Sequence, residues 1–244
     1  MKRFLLAALV VLLTASSAAA KTIFNFPPGY SQDEFKKLST DIGLSISYLP
    51  LAPAEPLGGG ILPHVDIGVE ATLINIDRGE AYWSKAASDI PSAFMYPKLH
   101  VQLGLPVVPI DFGFVYSSVP DSDIKLTGGE IKWAVLKGST ISPAIAIRGA
   151  YTKLDGVDVL DLSTMSLDLS ISKGFLMLTP YAGIGQVWIK SEEKDPDLTL
   201  NKEDISETKG YVGLKLSLLP VLNVVAEADF AKVNMYTLRL NLHF

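Results

Sequence analysis

The sequence predicts an all-β fold: a closed antiparallel transmembrane β-barrel of about 10 strands, or alternatively about 12, preceded by an N-terminal segment. Three observations support this prediction. The last ten residues, Met235 to Phe244, alternate strictly between apolar and polar side chains. The same alternation recurs along most of the chain. Polar connections of unequal length separate the alternating stretches, as in barrels that span a membrane.

The final stretch has the two-residue repeat of a strand with one apolar face and one polar face. Its apolar face carries Tyr236, Leu238, Leu240, Leu242 and Phe244. A last strand of this kind, closing on an aromatic residue, resembles the terminal strand of Gram-negative outer-membrane β-barrels. In that class the barrel assembly machinery reads such a strand. The resemblance implies that these five residues are the assembly signal and that this machinery is a partner.

Residues 1–20 have the features of a secretory signal peptide. Lys2 and Arg3 form a positive start, Phe4 to Leu13 is apolar, and Ala18 to Ala20 fits a cleavage site. The apolar run is shorter than the ~20 residues that a spanning helix needs. We therefore expect export through a cleaved signal peptide. Together with the resemblance, this implies the outer membrane of a Gram-negative bacterium, with outer-membrane lipids and lipopolysaccharide as neighbours.

Composition excludes several classes of protein. The chain has no cysteine, which excludes a lipid-anchored cysteine, disulfides and thiolate metal sites. Without residues 1–20 the net charge is 19 − 26 = −7, so there is no electrostatic basis for binding nucleic acid. The three histidines, His64, His100 and His243, match no metal-binding spacing, and no phosphate loop is present. We expect no enzyme activity, no catalytic residues, no metal and no cofactor.

Residues 21–60 form a separate N-terminal segment. The run Pro27-Pro28-Gly29 would interrupt a strand, and Ser31 to Glu34 is a capping box that predicts a short helix. The segment is predicted either as a periplasmic tail or as a plug folded into the barrel mouth. Within it, Ile42 to Tyr48 alternate and are a candidate strand. Leaving this candidate out gives ten barrel strands.

Residues 61–244 form the predicted barrel. Its alternating stretches begin at Val65, Leu99, Ile110, Ile131, Ile145, Met165, Met177, Val212, Val224 and Tyr236. Short connections are predicted at 106–109, 137–142, 173–176 and 219–222, and mostly longer ones at 77–94, 120–123, 153–161 and 191–207. Counting back from a periplasmic Phe244 puts every short turn in the periplasm and the longer connections outside.

Aromatic side chains support the same orientation. The outward-facing aromatics Tyr116, Tyr151, Phe230 and Tyr236 all lie at the predicted outer ends of their strands. Such a girdle is typical of the membrane–water interface. The stretches 48–58 and 170–191 also resemble those of an uncharacterised proteobacterial outer-membrane family. That family has no activity to carry over.

Charged residues on the inner face predict contacts across the lumen. If the tightest hairpins set the register, Lys215, Glu227 and Arg239 form a row of alternating charge over three strands. Glu130 would face Arg148 if the turn between them has three residues. The row either compensates charge in a filled lumen or forms a constriction that selects solutes.

Two functions follow from these alternatives. One is a narrow channel or transporter for small solutes, whose ligand the sequence does not identify. The other is a closed structural or adhesion barrel that acts through its extracellular loops. Lumen width separates them, because eight strands are filled by side chains whereas sixteen leave an aqueous channel.

Overall fold

The computed structural model describes residues 26–58, 61–77, 79–86, 93–119, 122–195 and 198–244. The signal peptide predicted at residues 1–20 lies outside these ranges, and so do parts of the connections predicted at 77–94, 120–123 and 191–207. Among the described residues, no helix combines the length and the apolarity needed to cross a membrane.

The described residues contain two helices and ten strands. The helices are α1 (Gln32–Ile46) and α2 (Ala81–Ala86). The strands are β1 (His64–Asn75), β2 (Ala93–Gly104), β3 (Ile110–Ser118), β4 (Lys125–Leu136), β5 (Ala144–Asp155), β6 (Leu160–Ser172), β7 (Leu178–Glu193), β8 (Glu203–Leu219), β9 (Leu222–Phe230) and β10 (Met235–His243).

The strands form one closed antiparallel barrel in which each strand pairs with its neighbours in sequence. Closure is made by β1 and β10, whose register sets Val69 opposite Leu240. Beyond β10, Phe244 and Val65 exchange two backbone hydrogen bonds, of 2.8 and 2.9 Å. The predicted fold class and the strand count of about 10 are confirmed.

Side chains alternate between the lumen and the outside, as the sequence predicts. On β10, Leu238 is 51% exposed whereas its neighbour Arg239 is 1% exposed. The outward face is apolar on every strand, and its exposed members include Leu99, Phe114, Trp133, Leu167, Ile184, Val212 and Leu238. An apolar outer band around a polar interior is the arrangement of a membrane-spanning barrel.

The connections differ less in length than predicted. Strands β5 and β6 extend into the connection predicted at 153–161, so only residues 156–159 join them. The connection 137–143, at the opposite end of the barrel, is longer. The proposed orientation in the membrane therefore depends on the connections 76–92 and 194–202 and on the aromatic girdle.

Helix α1 begins as the sequence predicts and continues further. The Ser31 hydroxyl accepts a hydrogen bond from the Glu34 backbone amide, and the Glu34 carboxylate accepts one from the Ser31 backbone amide. The candidate strand at Ile42–Tyr48 is wrong, because the helix runs to Ile46. Every residue from Ile42 to Ile46 is buried. The alternation of small and apolar residues there therefore does not correspond to the two faces of a strand.

The N-terminal segment lies inside the barrel, and we call residues 26–58 the plug. Helix α1 occupies the end of the lumen near α2, where Tyr30 donates a hydrogen bond to the Tyr82 carbonyl. From Ser47 the chain continues through the lumen to the opposite end, where the Leu57 amide binds Asp111. Of the two predicted locations for this segment, the plug is therefore the one found.

Two close approaches of glycine fix the plug against the wall. A Cβ atom at Gly43 of α1 would lie 2.4 Å from the buried side chain of Ile189 on β7. A Cβ atom at Gly104 on β2 would lie 2.2 Å from the backbone nitrogen of Gly58. The second contact is between two backbones, so neither side can move away by changing a rotamer.

Gly104→Ala should therefore destabilise the protein by about 1–3 kcal/mol, the usual cost of overpacking. The measurement is denaturant unfolding of the purified protein in detergent micelles. Gly149→Ala on β5 is the matched control, because a Cβ atom there has nothing within 4 Å. Equal unfolding midpoints for the two variants would contradict the close packing of Gly58 against Gly104.

Candidate functional site in the lumen

The inner wall of the barrel carries many buried charges. They are Asp66, Glu70, Lys98, Asp111, Glu130, Lys132, Arg148, Asp168, Lys209, Glu227, Asp229 and Arg239. A buried charge is costly unless it is paired or hydrogen-bonded. The wall supplies part of this compensation by itself, for example from Lys98 to Glu70 at 2.8 Å and from Lys132 to Asp111 at 2.7 Å.

The plug supplies much of the remainder through its backbone carbonyl groups. Its extended part contains Pro50, Pro53 and Pro56, which lack an N–H group and prevent a regular strand ladder. The carbonyl groups therefore need other donors, and lysine and arginine side chains of the wall provide them. The contacts are Lys209 Nζ to Tyr48 O at 2.8 Å, Arg148 Nη2 to Ala52 O at 3.0 Å and Lys132 Nζ to Glu55 O at 2.8 Å.

Carboxylates of the wall bind the amide groups of the same stretch. The Leu51 amide donates to Glu227 at 3.0 Å, and the Leu57 amide donates to Asp111 at 2.8 Å. Arg239 in turn donates to the Leu51 carbonyl at 3.3 Å. Leu51 has a φ angle of 44°, which is unusual for a residue other than glycine. Charged wall residues thus hold both polar groups of a strained backbone position.

One side chain of the plug joins a polar chain on the wall. The Tyr48 hydroxyl lies 2.8 Å from His100 Nε2, and His100 Nδ1 lies 3.0 Å from Glu70. All three side chains are buried. His100 is therefore a structural lumenal histidine that connects the plug to the Glu70–Lys98 ion pair.

At the mouth near α2, the plug is held by the first connection of the barrel. Asp41 accepts hydrogen bonds from the Tyr82 hydroxyl at 2.8 Å and from the Trp83 indole at 2.9 Å. Burial raises the pKa of the Asp41 carboxyl, and these two hydrogen bonds act in the opposite direction. Nearer the surface, a hydrogen bond from Lys85 lowers the pKa of Glu34 to about 2. The mouth is thus closed by aromatic and charged contacts.

The predicted charge row is not formed. Glu227 lies opposite Thr237 rather than Arg239, and Lys215 lies opposite Val225 rather than Glu227. Both predicted registers are wrong by two residues. Between β9 and β10 the four-residue connection 231–234 is longer than the predicted turn. Between β8 and β9 a bulge near Ser217 shifts the register.

The three residues of the predicted row bind other partners. Arg239 forms an ion pair with Asp66 across the closing seam and donates to Gln102 at 3.2 Å. Glu227 accepts a hydrogen bond from Tyr181 at 2.7 Å besides that from the plug. Lys215 lies apart from Glu227, beside a cavity at the end of the barrel where β10 ends.

The predicted register for Glu130 is also wrong, since it lies opposite Ala150 and Arg148 lies opposite Lys132. A bulge near Ala134 and the seven-residue connection 137–143 replace the three-residue turn. The structure nevertheless brings the two predicted side chains within 3.7 Å, because long side chains reach a diagonal neighbour.

The residues of the predicted assembly signal all face outward from β10. Tyr236, Leu238, Leu242 and Phe244 are exposed, and Leu240 is half-buried. His243, on the same strand, stacks on His64 of β1 with ring centroids 5.4 Å apart. The sequence analysis did not identify Asp66, Asp111 or Lys209 as plug or seam contacts. The inward position of Asp66 and Asp111 on alternating stretches was a usable signal, whereas Lys209 lies before the stretch predicted from Val212.

The fold and its two faces define a β-barrel of the outer-membrane class, with a lumen occupied by the N-terminal segment of the same chain. No protein-family model matches the sequence, and no curated protein matches it. The resemblance of residues 48–58 and 170–191 to one outer-membrane family therefore stays a prediction.

Several solved barrels are similar in fold. The N-terminal barrel domain of Pseudomonas aeruginosa OprF is 15% identical, with a TM-score of 0.38, over 73% of this chain and 97% of that one. Ail of Yersinia pestis is 12% identical, with a TM-score of 0.31, over 75% and 97%. The KdgM porin is 10% identical, with a TM-score of 0.34, over 73% and 99%. These values are too low to transfer an activity.

Neutralising Arg239 should leave Asp66 buried without its ion-pair partner. We expect Arg239→Gln to lower the free energy of unfolding by about 3–5 kcal/mol, and a second change, Asp66→Asn, to restore part of it. Unfolding of the single and double variants in micelles measures the coupling. Lys153→Gln, at a half-exposed pair with Asp155, is the control and should cost about 1 kcal/mol at most. Additive losses at Arg239 and Asp66 would contradict the pair.

Proposed function

We propose that this protein is a closed outer-membrane barrel that acts through its outer mouth and connections, as a structural or adhesion protein. One observation supports this proposal above all others. The plug runs through the lumen, and its backbone is hydrogen-bonded by charged wall residues, including Arg148, Lys209 and Glu227. A channel that conducts at rest would need this path to be free.

The energetics of the plug favour permanent closure. Leaving one wall charge buried without its partner costs about 3–5 kcal/mol, and several wall charges bind the plug. Helix α1 adds the apolar side chains of Phe35, Leu38 and Leu44, each at most 1% exposed. Full burial of each such side chain contributes about 1.5–3 kcal/mol. Withdrawing the plug would break all these contacts together.

Because the plug fills the lumen, the outer mouth of the barrel is left as the surface for interaction with other molecules. The plug starts at the same end as α2 and the connections 156–159 and 194–202. In the proposed orientation, the start of the plug at Phe26 and these connections therefore face the outside of the cell together. We propose that lipids and lipopolysaccharide of the outer membrane cover the apolar band, and that the barrel assembly machinery recognises β10.

A second function is a channel for small solutes that opens when the plug moves. The observation in its favour is the wall itself, which carries charges on nearly every strand. With the plug displaced, these charges would line a hydrophilic path able to select solutes by charge and size. The two functions differ in whether the plug ever leaves its position.

Single cysteines test the orientation, because the chain has none of its own. Pro28 and Asp158 are exposed at the end of the barrel where α2 lies, whereas Lys137 is exposed at the other end. We expect a membrane-impermeant maleimide to label Pro28→Cys and Asp158→Cys on intact cells. Lys137→Cys, the matched control, should be labelled only after the outer membrane is permeabilised.

Two results of the labelling experiment would contradict the proposal. The reverse pattern would contradict the orientation of the whole barrel. Labelling of Asp158→Cys without Pro28→Cys would mean that the start of the plug does not face outward. Either result would remove the outer presentation of the N-terminal segment from the proposal.

A disulfide between plug and wall tests closure. The Ser39 and Ser191 hydroxyl oxygens are 2.8 Å apart, so Ser39→Cys and Ser191→Cys should be close enough to form a disulfide. For the closed barrel we expect no single-channel current in planar bilayers, whether the disulfide is oxidised or reduced. Ser39→Cys alone is the control for the substitution.

The other outcomes of the disulfide experiment would contradict the closed barrel. Current that appears only after reduction would favour the gated channel, because the plug would then have to move. Current in both states would contradict closure by the plug. Failure of the two thiols to join under oxidising conditions would contradict the position of α1 against β7.

A further inference from the structure

Four short turns at the end of the barrel where β10 ends carry exposed apolar side chains. In the proposed orientation they are the periplasmic turns, residues 105–109, 137–143, 173–177 and 220–221. Their exposed apolar residues include Val107, Ile141, Leu176 and Val221. A single exposed apolar residue is ordinary, but the same feature in four turns at one end of a barrel indicates an interaction surface.

Two of these residues have a backbone conformation that usually belongs to glycine or asparagine. The φ angle is 68° at Val107 and 53° at Leu176, in the left-handed region. In a turn that faces water, glycine or asparagine is the common residue at such a position, and a β-branched residue there is strained. Val107 is 73% exposed, so the protein itself gives it little contact that would offset the strain. Both features indicate that these turns lie in apolar surroundings.

The charge of the periplasmic turns is of one sign. They contain Lys137 and Lys173 but no aspartate or glutamate, whereas the connections at the opposite end include Asp158. Lys173 donates to the carbonyl groups of Ser139 and Thr140, both at 2.7 Å, and so joins two neighbouring turns. An apolar surface with only positive charge is complementary to the boundary of a phospholipid leaflet, where acyl chains adjoin phosphate groups.

The height of the apolar band favours the same surroundings. On β5 the outward residues from Ile145 to Tyr151 are uncharged, and the next outward residue, Lys153, is charged. Six residue steps of ~3.4 Å, tilted by ~40°, span about 16 Å along the membrane normal. The apolar band of a membrane barrel is ~25 Å tall. The turn 137–143 adjoins the uncharged end of β5, so insertion of this turn would extend the band toward that height.

The distribution of the turns favours a lipid leaflet over a protein partner. They join β2 to β3, β4 to β5, β6 to β7 and β8 to β9, so they lie around the whole barrel. Their apolar residues also continue the apolar outer face of these strands. A protein partner would cover one side of such a ring, whereas a leaflet surrounds the barrel.

We infer that the periplasmic turns insert into a phospholipid leaflet, with Val107, Ile141 and Leu176 at the boundary of its acyl chains. The inference rests on the proposed lipid coverage of the apolar band, and it adds where that band ends. Insertion removes the apolar side chains from water, which offsets the strain at Val107 and Leu176. The charged connections at the opposite end stay in water.

Fluorescent labels on single cysteines measure the depth of the turns. Leu176→Cys and Ile141→Cys are labelled with an environment-sensitive dye in vesicles of phosphatidylethanolamine and phosphatidylglycerol. We expect quenching by a lipid with a nitroxide near the start of its acyl chain, and little quenching by aqueous iodide. Asp158→Cys, in an exposed connection at the other end, is the control and should show the reverse.

A label in the middle of the apolar band separates this inference from the lipid coverage on which it rests. Leu167→Cys, on the outer face of β6, should be quenched by lipid nitroxides and not by iodide. If it is, while iodide quenches both turn labels, only the insertion of the turns is overturned. If iodide quenches Leu167→Cys as well, the proposed lipid coverage is contradicted together with the inference.

Asparagine at a turn tip gives a second test, because its effect has opposite signs in water and in lipid. Leu176→Asn relieves the backbone strain, since asparagine tolerates the left-handed region. A turn in water should therefore keep or gain stability, whereas an inserted turn loses apolar contact. We expect a lower urea midpoint for Leu176→Asn in the same vesicles, and no change for Thr140→Asn, at an exposed polar position of the neighbouring turn. An unchanged or higher midpoint for Leu176→Asn would overturn the inference.

Discussion

The hydrogen bonding of a proline-rich backbone by charged wall residues is the interaction on which the rest of this structure depends. The lumen of this ten-stranded barrel accommodates the plug and is lined by buried charges that are costly to leave unpaired. An extended chain with three prolines lacks three N–H groups and cannot form a regular strand ladder, so its carbonyl groups need other donors. Each part therefore supplies what the other lacks. The plug gives the buried side chains of Arg148 and Lys209 hydrogen-bond acceptors, and these side chains give the carbonyl groups of Ala52 and Tyr48 donors.

The sequence predicted which side chains of each strand point into the lumen, but not which residues lie opposite one another on neighbouring strands. The two-residue repeat identifies which side chains point inward, because successive residues of a strand alternate. If the register between two strands shifts by two residues, every side chain still points to the same face of the sheet, but it lies opposite a different residue of the neighbouring strand. That is why Glu227 and Arg239 were correctly assigned to the lumen and wrongly assigned to each other. The connection 231–234 sets the register between β9 and β10, and bulges near Ser217 and Ala134 shift the other two registers. Alternation carries no sign of either feature.

The plug was predictable only at its start. The capping box at Ser31 and Glu34 is a local signal, since both partners lie within one helical turn. The last part of α1, from Ile42 to Ile46, is buried on all sides, so it lacks the polar face from which a surface helix is recognised. Its small and apolar residues then imitate a strand at Ile42–Tyr48. The contacts of the extended part join residues more than fifty positions apart, and no spacing rule reaches that far.

Arg239 connects closure of the barrel to placement of the plug. It lies on β10, forms an ion pair with Asp66 of β1 across the seam, and donates to the Leu51 carbonyl inside the lumen. The same Leu51 gives its amide hydrogen to Glu227 on β9. Three strands around the seam are thus held through one guanidinium group and one plug residue. Because Arg239 and Glu227 bind the plug as well as residues of the wall, the last strand pair and the plug stabilise one another, and the barrel reaches its full stability only when it closes around its own N-terminal segment.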